Sequence, residues 1–91
     1  MPGPFDPARP YEKHPQVAIR RERFGGLAYH YGNRRPIFLK APELADLVEA
    51  LAEFPTAADA VAAHAPAPRR DAFEKALSGL VTSEVIRARA D

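Results

Sequence analysis

The sequence contains no cysteine, and this absence excludes several kinds of chemistry. Without a thiol, the chain has no disulfide to brace a small fold, no cysteine nucleophile and no cysteine-based metal site. A protein without cysteine also fits the reducing cytoplasm, which is the location we expect. The 91 residues are enough for one small domain with one core.

The chain also lacks a long apolar run and a marked excess of one charge. No stretch approaches the length of a membrane span, and the proline-rich N-terminus has no apolar core of the kind that signal peptides carry. We therefore expect no membrane partner. The formal net charge is +1, whereas a protein that neutralises phosphates usually has a clear basic excess, so nucleic acid is disfavoured as a partner.

No group of residues has the spacing of a catalytic or metal-binding motif. The histidines, His14, His30 and His64, are not at metal-ligand spacing from one another. Neither Ser78 nor Ser83 lies in a nucleophile elbow. We therefore expect no catalytic residue, no metal and no enzymatic activity. His30 falls within a predicted strand, where we expect it to pack or to face water rather than to act as a base.

The first half of the chain is predicted to be an arm followed by a sheet. Prolines recur through residues 1–15, which excludes a helix or a central strand there and predicts a flexible arm that Phe5 and Tyr11 pin to the domain. Beyond the arm, alternating apolar residues and two runs rich in aromatic side chains predict a three-stranded antiparallel meander. Its strands are predicted at residues 16–23, 26–31 and 35–40.

Gly32 and Asn33 predict a tight hairpin between the second and third strands. Glycine at the first central position favours a two-residue type II′ turn, which pairs Tyr29 with Pro36. A three-residue loop that includes Arg34 is the open alternative, and it would shift this pairing.

The third strand is predicted to lie at the edge of the sheet, because Pro36 has no N–H to give to a neighbour. Two interpretations of this edge remain open. The proline and the basic residues around it protect the edge from unwanted pairing, or the edge is kept open so that another peptide can add a strand.

The second half is predicted to form three helices. Pro42 suits the first turn of a helix, and apolar residues follow it at three- and four-residue steps. Thr56 and Asp59 resemble a capping box at the start of a second helix, over residues 57–64. A third helix is predicted from near Arg69. The wet side of the first helix carries Glu43, Asp46, Glu49 and Glu53.

These elements predict an α+β fold, in which a three-stranded antiparallel sheet is followed by three helices in a winged helix-turn-helix-like arrangement. The single domain is predicted to cover residues 16–91.

Three blocks of the sequence carry a resemblance to a known family. They are HPQVA at 14–18, FGGLAYHYGNRR at 24–35 and IFLK at 37–40, and a looser match continues through LVEALAEFP at 47–55. At these positions the chain resembles the mycofactocin-system peptide chaperone family, MftB, whose members are PqqD-like RiPP recognition elements. The LAYHYGNRR stretch is the most specific part, whereas the helical half is generic.

The resemblance implies a function and a site. It implies a non-catalytic chaperone, without a cofactor, that binds the leader of the mycofactocin precursor peptide and presents it to a radical SAM maturase. In such elements the leader adds a strand beside the third strand and lies against the third helix. Carried over to this sequence, the peptide-binding residues are Arg35, Pro36, Ile37, Phe38 and Leu39 on the strand, and Arg70, Phe73, Glu74 and Leu77 on the helix.

Within that site, Phe38 and Phe73 are expected to form the walls of the groove. Pro36 departs from what a binding strand needs, because it removes a backbone donor. If its nitrogen faces the leader, pairing is expected to start at Ile37.

Two other functions stay open from the sequence. One is a winged-helix DNA-binding protein, with Arg69 and Arg70 at the start of a recognition helix. The other is a dimerisation module joined through the same sheet edge. The acidic side of the first helix is a candidate surface for the maturase.

Overall fold

The computed structural model describes residues 4–90 and shows an α+β fold with a three-stranded antiparallel sheet and three α-helices. The strands are β1 (Tyr11–Lys13), β2 (Val17–Glu22), β3 (Gly25–His30), β4 (Arg35–Leu39) and β5 (Ile86–Ala88). The helices are α1 (Pro42–Ala50), α2 (Ala57–His64) and α3 (Arg70–Thr82), and 3₁₀ turns cover Leu51–Glu53 and Ala67–Arg69. Residues 1–3 of the predicted arm and residue 91 of the predicted domain lie outside the described part.

The three-stranded sheet has the order β2-β3-β4, as the meander pattern predicts. Its inner face packs on the helices and includes Val17, Ala28 and Leu39, all of which are buried. The opposite face carries no helix within residues 4–90, and its side chains are exposed or half-buried. The sheet is therefore a single layer with one dry side and one wet side.

Gly25 allows the start of β3 and the end of β4 to approach closely. Its φ is 146°, and a Cβ at this position would lie 2.1 Å from the carbonyl oxygen of Leu39. Only glycine fits both this conformation and this distance. The end of β4 thus packs against the start of β3. The chain then continues from β4 into α1, which begins at Pro42.

Helix α1 packs against the inner face of the sheet. Pro42 occupies its first turn, as predicted, and its apolar stripe is buried. On its wet side, Arg21 of β2 forms ion pairs with Asp46, at 2.7 Å, and with Glu49, at 3.3 Å. These pairs are exposed and contribute little stability, but they neutralise part of the acidic side of the helix.

Helices α2 and α3 follow the local signals in the sequence. Thr56 caps α2, because its hydroxyl oxygen accepts the backbone N–H of Asp59 at 3.1 Å. Helix α3 buries Phe73, Leu77, Leu80 and Val81. Gly79 does not end α3, since the helix continues to Thr82. No helix in residues 4–90 is long and apolar enough to cross a membrane.

A two-stranded ribbon pairs two segments that are far apart in the sequence. The proline content predicts an arm over residues 1–15, whereas Tyr11–Lys13 within it pairs with Ile86–Ala88. Tyr11 is buried and its ring lies 5.1 Å from that of Phe5, so both predicted anchors contact the fold. The segment upstream of β1 also contacts the start of α2. The backbone C=O of Pro7 accepts the N–H of Ala58, and the C=O of Arg9 accepts the N–H of Ala57.

Candidate functional site: an open sheet edge beside an aromatic face

Strand β4 forms one edge of the three-stranded sheet, because within residues 4–90 β3 is the one strand that pairs with it. The register pairs Tyr29 with Pro36 and Leu27 with Phe38, as the two-residue turn predicts. An edge strand presents backbone polar groups that no neighbour in the sheet satisfies. The question for function is which residues of β4 present them.

Two backbone hydrogen bonds answer this question. The N–H of Tyr31 donates to the C=O of Gln16 at 2.8 Å, on the β2 side, whereas the C=O of His30 accepts the N–H of Arg34 at 2.7 Å, on the β4 side. Successive residues of a strand direct their polar groups to opposite sides, so His30 and every second residue before it bond toward β4. In the observed register their partners on β4 are Arg35, Ile37 and Leu39.

Pro36 and Phe38 therefore direct their backbone groups to the open edge. Pro36 offers only its C=O, because proline has no N–H. Phe38 offers both an N–H and a C=O. The expectation that pairing would start at Ile37 needs correction, because the polar groups of Ile37 face β3. Phe38 is the first residue of the edge with a donor available to an added strand.

The loop before β4 differs from the predicted type II′ turn. Gly32 does not have a positive φ, whereas Arg34 does, at 61°. The loop covers four residues between His30 and Arg35, yet the pairing is not shifted. The loop thus includes Arg34, as the longer alternative predicts. The pairing of β3 with β4 is nevertheless the one that the two-residue turn predicts.

The side chain of His30 determines the shape of this loop. Its Nδ1 atom accepts the backbone N–H groups of Gly32 and Asn33, at 2.9 and 3.1 Å. The carboxamide oxygen of Asn33 then accepts the N–H of Arg35 at 3.0 Å. His30 is buried and thus packs within the fold, which is one of the two placements that its strand position predicts.

A second imidazole, that of His14, lies against His30, with 4.5 Å between the ring centroids. Partial burial is the main cause that lowers the pKa of His14 from its ordinary value of 6.5, and the nearby His30 and Arg87 lower it further. The Nδ1 of His14 accepts the backbone N–H of Gln16 at 3.0 Å. Within residues 4–90, no three His, Cys, Asp or Glu side chains are grouped as a metal site would require.

The nine predicted peptide-binding residues divide into an accessible set and a buried set. Three of the strand residues, Arg35, Pro36 and Phe38, are exposed, and Ile37 is half-buried on the inner face. On the helix, Arg70 is exposed and Glu74 is half-buried. The remaining three are core residues: Leu39, Phe73 and Leu77.

Phe38 and Phe73 are thus in different environments. Phe38 is 62% exposed, whereas Phe73 is 2% exposed and belongs to the hydrophobic core. Strand β4 packs mainly on β3 and α1, while α3 packs on α2 and β5. Because its ring is buried, Phe73 does not present it to an open surface in this structure.

Aromatic side chains cover the outer side of the sheet. The predicted strand pairing puts Leu27, Tyr29, Tyr31 and Phe38 together on this face, although aromatic residues at strand spacing are more often found in a core. We call this outer side the aromatic face; its members are Phe24, Leu27, Tyr29, Tyr31 and Phe38. Phe24 is 43% and Tyr31 is 64% exposed. The rings of Phe24 and Phe38 lie 5.7 Å apart, edge to face. The alternation of the strands predicts this exposure. Val17 and Ala28 lie on the inner face, so the aromatic positions that alternate with them lie on the opposite face.

A separate cleft of about 670 Å³ lies beside the β1–β5 ribbon and the end of α3. Tyr11, His14, Glu84 and Ile86 are among its lining residues. None of the nine predicted peptide-binding residues lines it. Its position at the ribbon separates it from the open edge of β4, which belongs to the other sheet.

Comparison with known proteins gives several matches. The model of the peptide chaperone MftB family matches residues 10–87. A protein from Mycolicibacterium smegmatis named peptide chaperone MftB is 40% identical over 83 residues, which cover 90% of this chain and 81% of that protein. No solved structure matches the chain.

Two further relatives match over shorter stretches, and both are also named peptide chaperone MftB. The protein from Mycobacterium tuberculosis is 49% identical over 51 residues, covering 56% of this chain and 47% of that protein. The protein from Mycobacterium ulcerans is 47% identical over 53 residues, covering 58% of this chain and 49% of that protein. Each of these two alignments thus spans about half of the relative's length.

Proposed function

Because the chain belongs to the peptide chaperone MftB family, we propose that it binds the leader of the mycofactocin precursor peptide and presents it to a radical SAM maturase. The role is that of a non-catalytic carrier, which holds the leader while the maturase modifies another part of the precursor. We place both partners in the cytoplasm, a compartment that fits a chain without cysteine.

The observation that carries the proposal is the open edge of β4. Phe38 directs an N–H and a C=O outward, and Pro36 adds a C=O. A leader that pairs with this edge gains backbone hydrogen bonds whatever its sequence, and its alternate side chains supply specificity. The residue opposite Phe38 makes two bonds, whereas the residue opposite Pro36 makes one.

Charge around the edge supports a leader that carries acidic residues. Neither Arg34 nor Arg35 forms an ion pair within residues 4–90. Both are exposed and lie at the start of β4. Attraction between these arginines and acidic side chains would guide the leader to the edge and would weaken as salt is added.

On the helix side, we propose that Arg70 and Glu74 are the residues within reach of the leader. Phe73 and Leu77 act indirectly, because their burial holds α3 in position. The alternative of a DNA-recognition helix has less support from the structure. The guanidinium of Arg69 lies over the ring of Phe73, at 5.1 Å, so this cation is already engaged within the protein.

Two substitutions at one position test the proposed edge pairing. Phe38→Pro removes the outward N–H and the ring, whereas Phe38→Ala removes only the ring. The variants are titrated with a synthetic leader of the mycofactocin precursor, and circular dichroism checks that each is folded. We expect Phe38→Pro to bind about threefold to tenfold more weakly than Phe38→Ala, as expected for the loss of one hydrogen bond. Equal affinity of the two folded variants would exclude pairing at this edge.

A further inference from the structure

The aromatic face has a composition that is unusual for a free protein surface. Phe24, Tyr31 and Phe38 are the large apolar side chains that are clearly exposed in residues 4–90, and all three lie on or beside one side of one sheet. Tyr29 joins them, with its ring 5.2 Å from that of Tyr31. Contiguous exposed apolar side chains mark interaction sites, and aromatic residues are enriched at the centres of such sites.

Three cations border this face. Arg23 and Lys40 lie at the end where the β2–β3 turn meets the end of β4, and Arg34 lies at the opposite end. All three are exposed, and none forms an ion pair within residues 4–90. Among the outward-facing residues of the strands themselves, the carboxylate of Glu22 is already paired with Arg20. The border of the face therefore has a net positive charge.

We propose that the aromatic face and its three cations form a second docking surface, whose partner is a protein surface with an apolar centre and an acidic rim. The identification of that partner as the radical SAM maturase rests on the proposed function. A dry aromatic centre inside a charged rim is the usual arrangement of a specific protein interface. Opposite charges across the rim would steer the encounter and fix the orientation of the two proteins.

Charge disfavours a second copy of the chain as the partner. A twofold dimer through this face would place the same patch on both sides. Arg23, Arg34 and Lys40 of one copy would then lie opposite the same cations of the other, and like charges in an interface are repulsive. Nucleic acid is disfavoured by the formal net charge of +1, which gives only weak attraction to a phosphate backbone.

The acidic side of α1 was the candidate maturase surface from the sequence. It is a weaker candidate for this contact than the aromatic face. Arg21 pairs with both Asp46 and Glu49 and offsets part of the negative charge on that helix. Within residues 4–90, the cations around the aromatic face have no comparable ion pair. The unpaired charge and the exposed rings thus coincide on the sheet and not on α1.

A leader bound at the edge of β4 would enlarge this docking surface. An added strand directs every second side chain to the same side as Phe38. The outer face would then have four strands, and its last strand would belong to the leader. A partner that contacts both would bind the loaded chaperone more tightly than the empty one, and by linkage it would tighten leader binding by the same factor.

The experiment measures maturase binding and leader binding separately. Phe24→Ser combined with Tyr31→Ser removes two exposed rings that belong to residues outside β4. We expect this double variant to bind the purified radical SAM maturase about tenfold more weakly, since central aromatic residues dominate interface energy. Leader affinity without maturase should stay within about twofold of the parent. An unchanged maturase affinity in the folded double variant would overturn the proposal.

A matched pair of charge reversals provides the control. Arg23→Glu changes a cation at the border of the face, and Lys75→Glu makes the same change on the exposed side of α3. Only the first should weaken maturase binding. If sedimentation shows a parent dimer that the double variant loses, or if a random oligonucleotide competes for the face, the partner is a second copy or nucleic acid and the proposal is wrong. A parent that binds the leader but no maturase contradicts this inference, whereas a parent that binds no leader contradicts the proposed function.

Discussion

The Nδ1 atom of His30 lies 2.9 Å from the backbone nitrogen of Gly32 and accepts its N–H. This contact explains why glycine occurs at position 32 although its φ is not positive. A Cβ there would lie 2.7 Å from Cε1 of His30, whose ring is buried and has little room to move. Position 32 therefore requires glycine because of the imidazole beneath it.

Two Gly→Ala substitutions should consequently have opposite effects. We expect Gly32→Ala to lower the free energy of unfolding by about 1–3 kcal/mol, as for other substitutions that overpack a site. Gly79→Ala should raise it by about 0.5–1 kcal/mol, because Gly79 lies within α3 and a Cβ there meets no atom within 4 Å. Urea denaturation of both variants measures these changes. Shifts in the same direction would contradict this explanation of Gly32.

The environment of His14 predicts how stability depends on pH. The pKa of His14 is lowered in the folded protein from 6.5, chiefly by burial. The folded state thus binds fewer protons than the unfolded chain below this pH, and stability should fall as the pH drops from 6.5 toward the folded value. Urea unfolding at about pH 7.5 and about pH 5.5 measures the loss, and His14→Gln should reduce it. The same loss in His14→Gln as in the parent would assign the effect to other groups.

Local signals in the sequence predicted much of the fold. Pro42 and Thr56 mark helix starts that depend only on their own neighbours, and both occur as predicted. The register of β3 and β4 was also predicted, even though the turn type was wrong. Alternation of apolar residues restricts a strand more strongly than the turn does, because a slip by one residue would turn the inner face outward. The tertiary contact that decides the turn, from His30, was not foreseeable from the turn residues.

Long-range contacts explain what the sequence did not predict. Tyr11 pairs with Ala88, at the other end of the chain, and no local pattern signals such pairing. Phe38 and Phe73 have the same side chain and both lie at apolar positions of their elements, yet one is exposed and the other is buried. Their environments depend on which elements pack together. The residue pattern within a single element does not specify that packing.

The contrast between these two phenylalanines gives a further prediction. Phe73→Ala should lower the free energy of unfolding by about 3–5 kcal/mol, because it leaves a cavity in the core. Phe38→Ala should change it by no more than about 0.5 kcal/mol, since the ring is exposed. Chemical denaturation of both variants tests the assignment. If the two variants were equally stable, Phe73 would not belong to the core, and its expected place in a groove wall would be supported instead.

The central claim, that a leader pairs with the open edge of β4, is tested most directly at Pro36. This residue directs its nitrogen to the edge but has no N–H, so Pro36→Ala supplies a donor that the parent lacks. Isothermal titration with a synthetic leader of the mycofactocin precursor should show affinity that is about threefold to tenfold higher for Pro36→Ala than for the parent, as one additional hydrogen bond would give. An affinity equal to or lower than that of the parent, in a variant that remains folded, would contradict pairing at this edge.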